Sequence, residues 1–134
     1  MGESGIGASV LRKEDKRFLL GKGRYTDDIN LPGQTYAVFV RSENLAHAKI
    51  NSIDTEEAAA MDGVVAIFTG KDTEALGGLP CGWLIHSKDG SPRKEPKHSI
   101  LCTDRVRHLG DQVAVVIAET KEQAKAAAAA VWVD

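Results

Sequence analysis

The chain has 134 residues, of which 43% are hydrophobic, 27% charged and only 5% aromatic, with a formal net charge of -2. That is the length of one domain burying roughly two-thirds of its unfolded surface, around a core left mostly to Val, Ile, Leu and Ala. A near-neutral balance gives no global attraction to nucleic acid or an anionic membrane, and no apolar run approaches the ~18 residues a membrane helix needs.

The first eight residues are small and Gly-rich and read as a flexible arm. No long apolar stretch follows Glu3, and Arg12, Lys13, Glu14 and Asp15 are charged, so no secretory signal is read here and the expected location is cytoplasmic. Leu11 to Leu20 predicts one short helical turn ending at Gly21. Gly21, Gly23, Asp27, Asp28, Asn30, Pro32 and Gly33 then punctuate a turn-rich stretch. Tyr36 to Arg41, aromatic and β-branched after a Pro-Gly turn, predicts a buried strand. Ala48 to Asp54 alternates and predicts a second strand, with Ala48, Ile50 and Ser52 on one face.

Asp54 or Thr55 can cap a helix running to Met61, with Glu56 and Glu57 at its positive end and Gly63 as its stop. Val64 to Phe68 predicts a short apolar strand, and Thr69-Gly70-Lys71-Asp72 a turn or short helix. Gly77 to Ser99 is the least regular stretch, with three prolines, four glycines and four basic residues (Lys88, Arg93, Lys94, Lys97). A loop of that length in a small domain is commonly functional or interfacial. Arg105 to Arg107 predicts a brief strand and Val113 to Ala118 a strong one. Thr120-Lys121-Glu122-Gln123 fits a capping box ahead of the alanine-rich helix to Ala130. Val131-Trp132-Val133-Asp134 reads as a strand just starting.

No catalytic constellation stands out. Gly21-Lys22-Gly23-Arg24 lacks both the P-loop spacing and the dinucleotide fingerprint, so its glycines are read as backbone turns. Asp27-Asp28 has no EF-hand spacing. The four histidines, His47, His86, His98 and His108, form no i, i+4 pair, and no metal-binding or cofactor-binding residue is assigned from them. Asp111 follows His108 by three residues, but nothing marks a nucleophile beside them. Cys81 and Cys102 make no CxxC and are read as ordinary thiols, while a disulfide between them stays open because sequence does not supply their separation. The basic residues of the long loop are interleaved with Asp89 and Glu95 and lack the stacking aromatics of a nucleic-acid surface. Trp83, Leu84 and Ile85 in that loop, with Trp132 near the C-terminal end, are the candidate interface residues.

Several motifs in order carry a resemblance. They are Gly21-Lys22-Gly23-Arg24-Tyr25-Thr26-Asp27-Asp28-Ile29, Ala46-His47-Ala48-Lys49-Ile50, Gly63 through Asp72, and Val106-Arg107-His108-Leu109-Gly110-Asp111-Gln112-Val113 running on to Thr120. Together they resemble the α/β-hammerhead domain that opens the large, molybdenum-binding subunit of xanthine dehydrogenase, aldehyde oxidase and aerobic carbon monoxide dehydrogenase enzymes. Gly78-Leu79-Pro80-Cys81-Gly82-Trp83 is similar to the carbon monoxide dehydrogenase-like branch. Two positions depart from the pattern: Glu43 and Gln112 stand where the family usually has proline.

The resemblance implies an α+β fold, a small mixed sheet with two or three short helices, as a single domain over residues 1–134 within a longer chain. It implies a non-catalytic structural role in an oxidoreductase, framing contacts between domains and subunits. No cofactor is implied in this chain. The parent enzyme would use a molybdopterin cofactor, with [2Fe-2S] clusters and FAD on other domains or subunits. Its partners would be the remaining molybdenum-binding domains and the iron-sulfur and FAD subunits, with no nucleic acid and no membrane span. The competing reading is a stand-alone subunit-assembly or cofactor-insertion module. An independent enzyme built on His47, His108 or Asp111 would need an acid, base and nucleophile at a telling spacing, and none is present.

Overall fold

The computed structural model describes residues 5–7, 12–43, 45–80 and 82–134. Most of the expected arm (residues 1–4 and 8), together with Leu11 and Cys81, lies outside the described residues. The chain separates into two compact units, Met1–Gln34 and Thr35–Asp134.

The first unit holds helix α1 (Asp15–Leu19) and a 3-10 turn (Thr26–Asp28). Gly21 ends the helical turn as expected, with φ +66°. The phenyl ring of Phe18 stacks on Tyr25 at 5.7 Å between centroids. It also lies where a Gly23 Cβ would sit, 2.6 Å from Phe18 Cδ1. Gly23 therefore serves ring packing.

The second unit is built on a three-stranded antiparallel sheet in the order β1-β6-β4, from Tyr36–Arg41, Gln112–Ala118 and Val64–Thr69. Two smaller antiparallel pairs flank it. One joins β2 (Ala48–Lys49) to β5 (Arg105–Val106), and the other joins β3 (Ile53–Asp54) to β7 (Trp132–Val133). Helix α2 spans Glu56–Ala59, α3 Gly70–Thr73 and α4 Lys121–Ala130, and a 3-10 turn covers Glu74–Leu76. This is the expected α+β class, with every described strand pair antiparallel.

Helices α2 and α4 cover one face of the main sheet. Ala58, Val116, Ala127 and Val131 form the buried centre of that layer, with Val40, Val64 and Ile67 packed against it. The alanines of α4 matter here, because small side chains let the helix lie close on the strands. A second cluster of Cys102, Val106 and Val113 lies under the short strands, against Ala48, Ile50, Ile53 and Val133.

Two expectations change. Strand β1 is an edge strand that alternates half-buried and exposed residues, not a buried one. The single strand expected over Ala48 to Asp54 is two short strands with different partners. The backbone N–H of Ile50 still reaches Asp104, whereas Asn51 N–H donates to the Asp134 carbonyl at 2.7 Å. At that change of partner the buried face also changes, so Ile53 points inward and Ser52 outward.

Candidate functional site

Candidate surfaces are three: the uncovered face of the main sheet, the long loop, and a polar cluster around Asp111.

On the sheet, residues opposite one another share a face. Phe39 opposes Val115, which opposes Phe68; Ala37 opposes Ile117, which opposes Ala66. These two apolar rows face away from α2 and α4. Phe39 and Phe68 remain 42% and 40% exposed. The Arg41 guanidinium lies over the Phe39 ring at 5.3 Å and donates to the Gly110 carbonyl at 2.9 Å, closing one end of the patch. Around the β1 edge, a groove of about 640 Å³ is walled by Val38, Phe39, Ile50, Lys125, Ala128 and Asp134, among others.

The long loop is more ordered than its composition suggests. Gly78 and Ser99 bridge at its base, and His86 and Pro92 bridge further out. Arg93 N–H donates to the Ile85 carbonyl at 3.0 Å, and Ser87 N–H to the Ser91 carbonyl at 2.9 Å. Gly90 takes φ +81° at the tip, and Asp89 accepts from both the Ser91 hydroxyl and backbone N–H. The result is a small hairpin, and the Asp89-Gly90 pair was its sequence signal. The expected interface residues Trp83, Leu84 and Ile85 form one exposed apolar run beside it, with Trp83 77% exposed. Trp132 is 70% exposed but sits apart from them in β7, paired with Asp54.

Asp111 is the one buried charged residue among those described, 5% exposed. Its Oδ2 accepts the Arg107 backbone N–H at 2.8 Å. Its Oδ1 faces His108 Nε2 at 3.4 Å and His98 Nε2 at 3.9 Å. Burial alone pushes this carboxyl up. The Arg107 N–H, the Cys102 thiol and the two imidazoles together outweigh burial and hold it below the usual carboxylate value. The same contact works the other way on Cys102: burial, then its hydrogen bond to Asp111, push the thiol up to about 12. Cys102 is a free, buried thiol with no thiolate character to offer a nucleophile. His47, weighed in the sequence beside His108, stands elsewhere, against Arg105 Nη1 at 3.3 Å. Sequence reasoning set His108 beside Asp111 but did not join His98 and Cys102 to them, because only tertiary folding brings those two there.

Comparison with known proteins decides the family. Residues 20–134 match the model for the aldehyde oxidase and xanthine dehydrogenase a/b hammerhead domain.

The chain belongs to this hammerhead family.

The hammerhead is 38% identical over 120 residues to the nicotine 6-hydroxylase large subunit of Paenarthrobacter nicotinovorans, covering 90% of this chain and 14% of that protein. It is 50% identical over 72 residues to the carbon monoxide dehydrogenase large chain of Afipia carboxidovorans, covering 54% of this chain and 9% of that one. Among solved structures, quinoline 2-oxidoreductase from Pseudomonas putida 86 superimposes with a TM-score of 0.79 at 36% identity. That match covers 96% of this chain and 16% of the oxidoreductase chain. The hammerhead thus spans a small part of the length of the relatives it matches. No helix among the described residues is long and apolar enough to cross a membrane.

Proposed function

We propose that this chain is the structural hammerhead domain of the large subunit of a molybdenum hydroxylase, an oxidoreductase of the xanthine dehydrogenase type. Its role is to frame contacts between domains and subunits. The observation that carries this reading is the hammerhead match over residues 20–134, in relatives of which the chain spans 14%. The parent reaction, its substrate and its location in the cytoplasm belong to the same proposal.

The surfaces support a framing role. The rows Phe39-Val115-Phe68 and Ala37-Ile117-Ala66 offer a flat apolar face suited to another protein layer, as do the exposed Trp83-Leu84-Ile85 and Trp132. The partners that fit are the remaining molybdenum-binding domains of the same subunit, and the iron-sulfur and FAD subunits beyond them.

The residues present do not fit a pterin cofactor. A pterin phosphate needs convergent donors in a prepared cradle. In the groove beside β1, the cations Arg41, Lys49 and Lys125 are offset by Glu43 and Asp134. Among the described residues no buried side-chain polar atom is left without a partner. This supports assigning molybdopterin to other domains of the parent enzyme; the same proposal assigns [2Fe-2S] and FAD to other domains or subunits.

The test is the size of the native polypeptide, by immunoblot against this domain in the source cells. The expected band is several times larger than the chain's 14.4 kDa, and the purified polypeptide is expected to contain molybdenum. A single band at 14.4 kDa would overturn this reading in favour of a separate assembly or cofactor-insertion module.

A further inference from the structure

We propose that His98, His108 and Asp111 form a binding site for a divalent transition-metal ion of the Zn²⁺ class, with two imidazole Nε2 atoms and one carboxylate oxygen as ligands. The three ligand atoms lie within 4.8 Å of one another. A tetrahedral ion with bonds of about 2.0–2.1 Å holds its ligand atoms about 3.4 Å apart. His108 already meets that spacing to Asp111 Oδ1, at 3.4 Å, and His98 is close to it, at 3.9 Å. Both imidazoles are exposed, so a small side-chain adjustment can close the site without backbone movement.

The surroundings are those of a ligand set. The Arg107 backbone N–H holds Oδ2 of Asp111 and leaves Oδ1 aimed at the two rings. His108 Nδ1 lies 3.1 Å from the Leu109 carbonyl. Donation from Nδ1 to that carbonyl is the usual outer contact of a metal-bound histidine, and it leaves the lone pair on Nε2. That lone pair then faces a carboxylate oxygen, so a cation between them is attracted by both; in the metal-free chain a proton on Nε2 fills that place. A mixed nitrogen and oxygen set selects Zn²⁺, Co²⁺ or Ni²⁺ over Mg²⁺ or Ca²⁺. With three protein ligands, the fourth position is left to water.

The site has a mechanical consequence. His98 ends the long loop, its carbonyl accepts Leu79 N–H at 2.8 Å, and the neighbouring Ser99 bridges Gly78. His108 and Asp111 belong to the turn between β5 and β6. A bound ion would join the base of the loop to the sheet, and binding energy would become stability of that loop. His98 and His108 come from separate segments, so their pairing has no signature in sequence spacing.

The experiment is calorimetric titration of the metal-stripped full chain with Zn²⁺ at neutral pH, with Co²⁺ absorption as a second readout. One saturable site is expected, and Co²⁺ should give the intense visible bands of four-coordinate geometry. His98→Ala and His108→Ala should each weaken binding by at least ~10-fold, while His86→Ala in the same loop leaves it unchanged. Both histidines are exposed, so circular dichroism of the variants should match the parent. Absence of saturable binding, or binding unmoved by both substitutions, would overturn the site. Weakening by only one of them would overturn the three-ligand assignment.

Discussion

Gly70 shows how much a single residue can depend on distant chain. It begins α3 and is buried, and its φ lies outside the left-handed region, so no turn demands glycine there. The demand is closeness: a Cβ would stand 2.2 Å from the Cys102 carbonyl oxygen and 2.9 Å from Thr103 Cα. Both are backbone atoms and cannot swing aside. Gly70→Ala is therefore expected to destabilise the chain by about 1–3 kcal/mol in a urea melt, as overpacking does. Gly82→Ala is the control. Nothing lies within 4 Å of its would-be Cβ, so it should change stability by less than about 0.5 kcal/mol. Sequence could mark Gly70 as part of a motif, but the reason for it sits on a segment that only the fold brings near. The glycines at Gly21 and Gly63 were legible, because a positive φ at a helix end is a local property.

At the scale of elements, local chemistry was readable and pairing was not. Helix α4 is the clearest case. Thr120 caps it, its Oγ1 accepting Gln123 N–H at 3.2 Å while Gln123 Oε1 accepts Thr120 N–H at 3.1 Å. Both partners lie three residues apart, so the signal is contained in the sequence. Thr120→Ala removes the acceptor for a helix-end donor and should cost about 1 kcal/mol, read as a lower midpoint in the same melt. An unchanged midpoint would mean that packing of Ala124 and Ala127 alone holds this helix end. The segment Ala48 to Asp54 shows the opposite. Alternation reports which face is apolar, but the switch from β5 to β7 as partner is a decision of tertiary structure. The hairpin inside the long loop was read only as irregular chain; Asp89-Gly90 is a local mark of its turn, but its base at Gly78 and Ser99 rests on a contact across the whole loop. The Asp111 cluster fails to show in the sequence for the same reason, since His98 arrives from the end of that loop.

At the scale of the whole molecule, the composition of β1 carries an ambiguity. A strand apolar on both faces is either buried between two layers or waiting for one of them. Tyr36 to Arg41 read as buried, and in this chain α4 supplies only one layer. The second face keeps Phe39 and Phe68 about two-fifths exposed on opposite edge strands, flanking Val115. Edge strands with exposed aromatics invite association, and on the proposed function the partner is the rest of the subunit. The chain alone should therefore self-associate, its weight-average mass in sedimentation rising with concentration. Replacing both rings with threonine, Phe39→Thr together with Phe68→Thr, puts residues of high strand propensity in their place while removing the apolar surface. The double variant should stay near 14.4 kDa at the same concentrations and retain the parent's far-ultraviolet spectrum. In the complete polypeptide the same pair should lower the yield of assembled protein, because the surface that is a liability alone is the one the neighbouring layer would cover. A parent chain that stays monomeric at every concentration would mean that this face is tolerated by water, and the contact surface would then have to be sought at Trp83, Leu84 and Ile85.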